Sequence, residues 1–375
     1  RLMADIVTER FGITSTGNFE GRSVLTLADS MDEIATRHSV EESDVEAMLE
    51  SGKEILYSAR SKRPRPPRDE KILAGWNGLA IESLAEGALV TGDDGYAKMA
   101  EKAFDFVEST LWDGTHLHRR FKAVEDNSRE TSKASSGSVK GDGLLEDYAY
   151  LANGALSLHG VTGTLKPLSV ALDLGRAIER EFWDPDRNTL YYTPKSGEAI
   201  PVRPQQVADE STPSSTGVAL DVLLKLDAFA PEAAFRDIVD SVLRTHSGTI
   251  EDAPTQHPTL ARVAAVHGTG HLEITTSAAE PPSAWLEMIG RQFVPDLLLT
   301  HRPPDDAALA SWIEQLHIDE IPPIWAGQES KDGPTAYVCR QACSPPLQNQ
   351  EEIKSWIHEF GLSDIADRSD GRFDV

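Results

Sequence analysis

Long apolar stretches alternate with polar breaks along this chain, and up to His267 the apolar positions recur mostly at helical spacing. From Ile72 the run ILAGWNGLAIESLAEGALV is apolar almost all round and stops at Thr91-Gly92-Asp93. The next run, YAKMAEKAFDFVESTL from Tyr96, carries Ala100, Phe104 and Val107 on one face. A buried helix followed by an amphipathic partner predicts an αα-hairpin. The pattern returns with a helix over 144–158, a turn at Gly160-Val161-Thr162-Gly163 and a helix over 168–182. Trp112 and Trp183 lie 71 residues apart, each preceded by an apolar residue and followed by Asp, and Trp76 and Asp147 share that offset. A common offset identifies a repeated hairpin. A third, degraded copy starts near Pro213, with helices expected over 214–228 and 232–246 and a further one over 258–266.

The ends of the chain read differently. Residues 1–38 predict short extended pieces joined by turns at Phe11-Gly12-Ile13-Thr14 and Gly17-Asn18-Phe19-Glu20-Gly21. Ser39 and Glu42 have capping-box spacing and introduce a helix to about residue 59, with Val45, Met48, Leu49, Ile55 and Leu56 broadly on one face. The prolines of KRPRPPR (62–68) stop it, and that run is expected to be a surface strap over the helices. Extended structure is expected over 116–121 and 189–192, and the Ser-, Lys- and Gly-rich stretch 123–142 is expected to be mobile. Past His267, strands over 271–275, 296–300 and 335–340 alternate with helices over 283–292, 305–316 and 349–360. The expected organisation is therefore mainly α: repeated αα-hairpins over 1–267, then a small α/β lobe over 268–375. Such hairpins can close into an α/α barrel, although about four pairs are visible where six are needed. No Gly-rich loop follows a strand, so no nucleotide or other cofactor is assigned.

Charge narrows the partners. The formal net charge is −25, with 61 acidic and 36 basic residues, and an acidic surface argues against nucleic acid. Only 13 of the basic residues are Lys, a balance that suits a hydrated, salt-tolerant surface and raises a halophilic source alongside an ordinary acidic cytosolic protein. No apolar run approaches the ~20 residues of a membrane span, and no leader peptide is visible. Cys339 and Cys343, in a C-x-x-x-C spacing, are expected to be a structural thiol pair in a reducing cytoplasm.

The stretches RPRPPRDEKILAGWNGLAI, LLEDYAYLANGAL, VRPQQVADESTPSS and PTAYVCRQACSPP, with GNFEGRSVL near the start, resemble the YyaL and spermatogenesis-associated protein 20 family. The resemblance spans most of residues 10–345. It implies an (α/α)6 barrel similar to N-acylglucosamine 2-epimerases and related glycosidases, preceded in the intact protein by a thioredoxin-like domain. That domain and the first barrel helices are expected to be missing here. Two departures stand out. Pro213-Ser214-Ser215-Thr216 replaces the family's Pro-Ser-Gly-Asn, and the histidine pair of sugar 2-epimerases has no counterpart motif.

Candidate chemistry gathers at the starts of the apolar helices. Sugars present hydroxyls and flat apolar faces, which carboxylates, amides and aromatics recognise together. Trp76 with Asn77, and Tyr148 with Glu146 and Asp147, supply that mixture. Glu146 or Asp147 paired with Asp69 or Asp209 would form an acid/base couple. Equally, Glu146 and Asp147 fit as first-turn carboxylates favoured by the helix dipole. Lys71 and Arg203 either bind an anionic sugar or neutralise these carboxylates. Ser214 is a candidate contact at the third helix start, without a nucleophile-elbow context. His116 and His118 would share a strand face, but no third ligand lies nearby, so no metal is assigned. The alternative to a carbohydrate-active or carbohydrate-binding barrel is a non-catalytic helical scaffold serving the thioredoxin-like domain.

Overall fold

The computed structural model describes residues 1–123, 137–231 and 233–361. Two compact units divide at Asp69 and Glu70. In the first, helices α1 (Leu2–Arg10), α2 (Met31–His38) and α3 (Glu42–Ser61) close over Ile6, Val7, Ile34, Val45 and Leu49. Two stretches expected to be extended are thus helical. The capping box belongs to Ser30 and Glu33, which start α2, and not to Ser39, which ends it in the left-handed region at φ 55°. Propensity favoured this: MDEIATRH carries an acidic first turn and a basic last turn, which complement the helix dipole.

The second unit begins with strand β1 (Lys71–Leu73) and runs through three hairpins: α4 (Ala74–Thr91) with α5 (Asp94–Leu111), α6 (Leu145–Thr162) with α7 (Leu165–Phe182), and α8 (Ser215–Asp227) with α9 (Phe235–Asp252). Helix α4 packs on α6 and α6 on α8, while α5, α7 and α9 each back their own partner. This is the layering of an α/α barrel, with inner helices side by side and outer helices behind. Burial agrees with the apolar patterns, since α6 and α8 are enclosed almost all round whereas α7 and α9 bury one face. Inner helices α4 and α6 both end on a left-handed glycine, Gly92 (φ 71°) and Gly163 (φ 68°), which are again 71 residues apart.

Strands β2 (His118–Ala123) and β3 (Gly137–Asp142) join β1 in an antiparallel sheet. The run expected to be mobile thus ends in a strand, and its 124–136 part lies outside the described residues. Strands β4 (Trp183–Asp184) and β5 (Thr189–Leu190) make a short hairpin after α7. Helix α10 (Pro258–Thr269) then packs on α8 and leads into β6 (Leu272–Ser277), α11 (Ser283–Gly290) and β7 (Leu297–Arg302). Helix α12 (Asp306–Leu316), strands β8 (Thr335–Arg340) and β9 (Ala342–Cys343), and α13 (Gln350–Phe360) follow, giving the alternation of strands and helices expected past His267. Its sheet runs β7-β6-β8-β9, with β6 and β7 parallel and the other pairs antiparallel. The cysteines, expected to be reduced, form a disulfide. A tight turn with Gln341 at φ 58° sets β9 against β8 so that Cys339 and Cys343 face each other in register. Among the described residues no helix is long and apolar enough to cross a membrane.

Buried imidazoles fasten the lobe to α6. His159 Nε2 lies 2.9 Å from Thr300 Oγ1, and His301 Nε2 lies 2.7 Å from the Gly160 carbonyl. Both rings are fully enclosed, and burial lowers their pKa values to about 4 for His159 and about 3 for His301. The unfolded chain takes up these protons near pH 6.5 and the native fold does not, so this stabilisation is complete above pH 6.5 and is lost as pH falls toward 4. Denaturant melts between pH 7 and pH 4.5 should show stability falling by a few kcal/mol (about 1.4 per pKa unit displaced). Part of the fall should vanish in His159→Gln. An identical pH slope in that variant would remove the imidazole from the account.

The α4–α6 crossing brings two helix backbones into direct contact. A Cβ on Gly78 would sit 2.4 Å from the Tyr150 carbonyl carbon, and one on Gly154 would sit 2.5 Å from the Gly78 oxygen. Backbone cannot retreat as a side chain can. Gly154→Ala is therefore expected to lower stability by about 1–3 kcal/mol despite alanine's higher helix propensity. Unchanged or raised stability in urea unfolding would mean that the helices separate freely.

Candidate functional site

Where the inner helices begin, β2 and the α6 N-terminus build a compact polar corner. Asp147 is the hub. Its Oδ1 accepts from the Gly75 amide at 2.9 Å, tying the start of α4 to that of α6. Its Oδ2 accepts from the Leu144 amide at 2.9 Å and from Arg119 Nη1 at 2.8 Å. The same Arg119 nitrogen lies 2.8 Å from Glu146 Oε1, so one guanidinium holds two consecutive carboxylates. Burial lifts the Asp147 pKa to about 6, against the pull of Arg119 and the two amides. Burial, followed by the neighbouring Glu146 carboxylate, pushes the Tyr192 phenol well above its ordinary range.

Tyr150 stands one turn further into α6. Its hydroxyl donates to the Pro213 carbonyl, and burial raises its pKa to about 12. The negative charges of Glu146, Asp209 and Asp147 add to that rise. Trp76, next to Gly75, is 61% exposed, whereas Asn77 donates to the Leu73 carbonyl at 2.8 Å and fastens the β1–α4 junction. The start of α4, just before Trp76 and Asn77, is thus joined to the start of α6 through the Gly75 amide and Asp147.

The remaining candidates hold other posts. Asp209 accepts from the Ser214 amide at 3.0 Å and from the Thr259 amide at 3.1 Å, and the Thr259 hydroxyl also donates to it, so it caps the start of α10. Ser214 is the N-cap of α8, accepting from the Gly217 amide at 3.0 Å. Tyr148 turns toward the outer helices, where its ring packs on Trp112 and Phe182 and its hydroxyl accepts from the Leu117 amide at 2.8 Å. Arg203 stacks over Tyr191 at 4.4 Å and donates to the Glu181 and Thr193 carbonyls. Lys71 pairs in register with Lys122 on the sheet, and Asp69 is the last residue of the first unit.

Three participants went unread in the sequence: Arg119, Tyr192 and a polar ladder deeper in the hairpins. In the ladder, Asn153 Nδ2 donates to Glu82 Oε1 at 2.6 Å and Lys225 Nζ donates to Asn153 Oδ1 at 2.9 Å. Lys225 also pairs with Asp221 at 2.8 Å, as does Arg262 at 3.0 Å. Glu82 and Asn153 are 71 residues apart, so the repeat offset, carried past the aromatic positions, would have found them. Arg119 has no such signal, because a three-way strand register brings it to the corner.

Removing the guanidinium should leave two neighbouring buried carboxylates uncompensated. Arg119→Met is expected to lower stability by about 2–3 kcal/mol at pH 7.5. The deficit should shrink at pH 5, because Asp147 without its partner binds a proton there. Urea melts of both proteins at the two pH values measure this, and a deficit that is constant or larger at pH 5 contradicts it.

Comparison with known proteins agrees with the expected resemblance. The chain is 26% identical over 370 residues to human spermatogenesis-associated protein 20, and 25% identical over 372 residues to the mouse protein. An uncharacterised protein of Caenorhabditis elegans is 24% identical over 372 residues. These alignments take in 94–95% of the chain but only 45–48% of the relatives, so the chain spans a little under half of their length. No protein-family model matches it. Among solved structures, a cellobiose 2-epimerase from Bacillus thermoamylovorans B4167 is 10% identical at a TM-score of 0.31, over 55% of this chain and 47% of that one. An alpha-1,6-mannanase from Salegentibacter sp. HEL1_6 is 14% identical at a TM-score of 0.33, over 65% and 69%. The α/α layering itself rests on the helix contacts described above.

Proposed function

We propose that the protein binds a carbohydrate at the mouth of its inner helices and acts on it by acid/base chemistry through Glu146. The observation that carries this reading is the pair of consecutive carboxylates held by Arg119, with Tyr192 near Glu146 and the exposed Trp76 next to the Gly75 whose amide binds Asp147. The two acids differ in freedom. Asp147 accepts three hydrogen bonds that join α4, α6 and β2, so it positions the corner and does not exchange protons with a substrate. Glu146 is anchored through Oε1, and its carboxylate is the group that could take or give a proton. Trp76 would offer a flat face to a sugar ring, and Tyr192 would orient Glu146. Hydrolysis of a glycosidic bond and epimerisation next to a carbonyl both begin with such a proton transfer.

A second reading keeps the helices as a scaffold for a thioredoxin-like domain of the intact protein. It is favoured by one observation: the relatives are about twice as long as the aligned region. A thermal-shift screen of mono- and oligosaccharides and sugar phosphates separates the two. Carbohydrate binding predicts a rise in Tm of a few degrees for a restricted set of sugars, lost in Trp76→Ala. Glu146→Gln should abolish any turnover found, by at least about a hundredfold, while the melt is preserved. No shift across the panel at millimolar ligand would favour the scaffold.

A further inference from the structure

The ladder Glu82–Asn153–Lys225 lies two helical turns beyond the Glu146 corner, about 10 Å along α6. Its two ends, Glu82 and Lys225, form part of the wall of a separate cavity of about 510 Å³. The chemistry of this cavity is ordered. Glu82, with Glu86 at the exposed rim, lies on α4, while Lys225 on α8 and Arg262 on α10 supply the positive side. Asp221 lies between those cations, and although burial opposes it, Lys225, His271 and Arg262 hold its carboxyl well below the usual range. Glu82 and Asp221 balance Lys225 and the part-exposed Arg262, so these four charges sum to zero, with Glu86 outside them at the rim. A neutral or zwitterionic ligand therefore suits the cavity better than an ion of either sign.

The Asn153 amide shows which zwitterion. It presents a donor to Glu82 and an acceptor to Lys225, at 2.6 and 2.9 Å. With about 2.3 Å across an amide, the two charged ends stand no more than about 8 Å apart. An α-amino acid has its ammonium and carboxylate about 3 Å apart, and two hydrogen bonds of about 2.8 Å extend that reach to the same span. Lys225 directs two of its three N–H groups to Asn153 and Asp221, and Arg262 gives a terminal nitrogen to Asp221. Leu156 and Leu298 form an apolar wall, and Phe293, 94% exposed, stands at the rim.

We propose that this cavity binds a small zwitterion of the α-amino-acid type, with its ammonium on Glu82, its carboxylate on Lys225 and Arg262, and an apolar side chain between Leu298 and Phe293. This inference is independent of the carbohydrate reading, because none of its residues belongs to the Glu146 corner. Calorimetric titration of the full chain with L-leucine and L-phenylalanine tests it, using 4-methylvalerate and isoamylamine as analogues that each lack one charge. The zwitterions should bind, and each analogue should bind at least about tenfold more weakly. Glu82→Gln, which keeps an oxygen for Asn153, should weaken L-leucine at least about tenfold, and Phe293→Ala several-fold. Three results would overturn the proposal: no binding of either amino acid at millimolar concentration, analogues that bind as well as L-leucine, or unchanged affinity in Glu82→Gln.

Discussion

Everything in the larger unit is arranged around the contact of α4 with α6, where two helix backbones touch without side chains between them. Gly78 and Gly154 remove the Cβ atoms that would hold the axes apart, and the Gly75 amide reaches the Asp147 carboxylate directly. Close approach of this kind gains dispersion contacts along the whole crossing, but it tolerates no added atom. It also fixes the relative height of the two helices. That height brings the Trp76 corner level with Glu146, and Glu82 level with Asn153.

One geometric setting thus serves two polar sites. At the start of α6, two carboxylates meet a guanidinium. Deeper in, a carboxylate, an amide and an ammonium form a line across three successive helices. Both groups sit on helices that are otherwise apolar and largely enclosed, so each polar atom needs a partner from a neighbouring helix or strand. Three of these pairings, Gly75–Asp147, Glu82–Asn153 and Asn153–Lys225, are made across the repeat by residues 71 or 72 positions apart. Asp147 and Asp221 illustrate the same burden solved in opposite ways. Burial prevails over Arg119 in the first and raises its pKa, whereas Lys225, His271 and Arg262 prevail over burial in the second.

The lobe is fastened to this frame by neutral hydrogen bonds. His159 and His301 bridge between α6 and β7 with their rings kept uncharged, and Gly160 lets the β7 backbone come close, since a Cβ there would stand 2.9 Å from the Leu299 oxygen. Such a junction is stable at neutral pH and weakens with acid. The disulfide pins β9 to β8, well away from that junction in the sheet order.

Local pattern was enough for the hairpins, because an all-round apolar helix followed by an amphipathic one can bury its surface in few other ways. The 71-residue offset exposed the repeat for the same reason: Trp112 and Trp183 close equivalent hairpins, each beside a short antiparallel pairing. The strands of the lobe were legible as short apolar runs bounded by polar breaks and alternating with helices. Residues 1–38 were not, since α1 and α2 are short and draw their stability from packing on α3 more than from their own periodicity. Sequence singled out Glu146, Asp147 and Trp76 as candidates at helix starts, but it could not decide which acid was structurally committed. That depended on Arg119, delivered by strand register, and on an amide of α4, delivered by helix contact. Asp209 and Ser214 look like site residues in one dimension and are helix caps in three. Side-chain type is written in the chain, whereas the partner that consumes or frees each polar group is chosen only when distant segments pack.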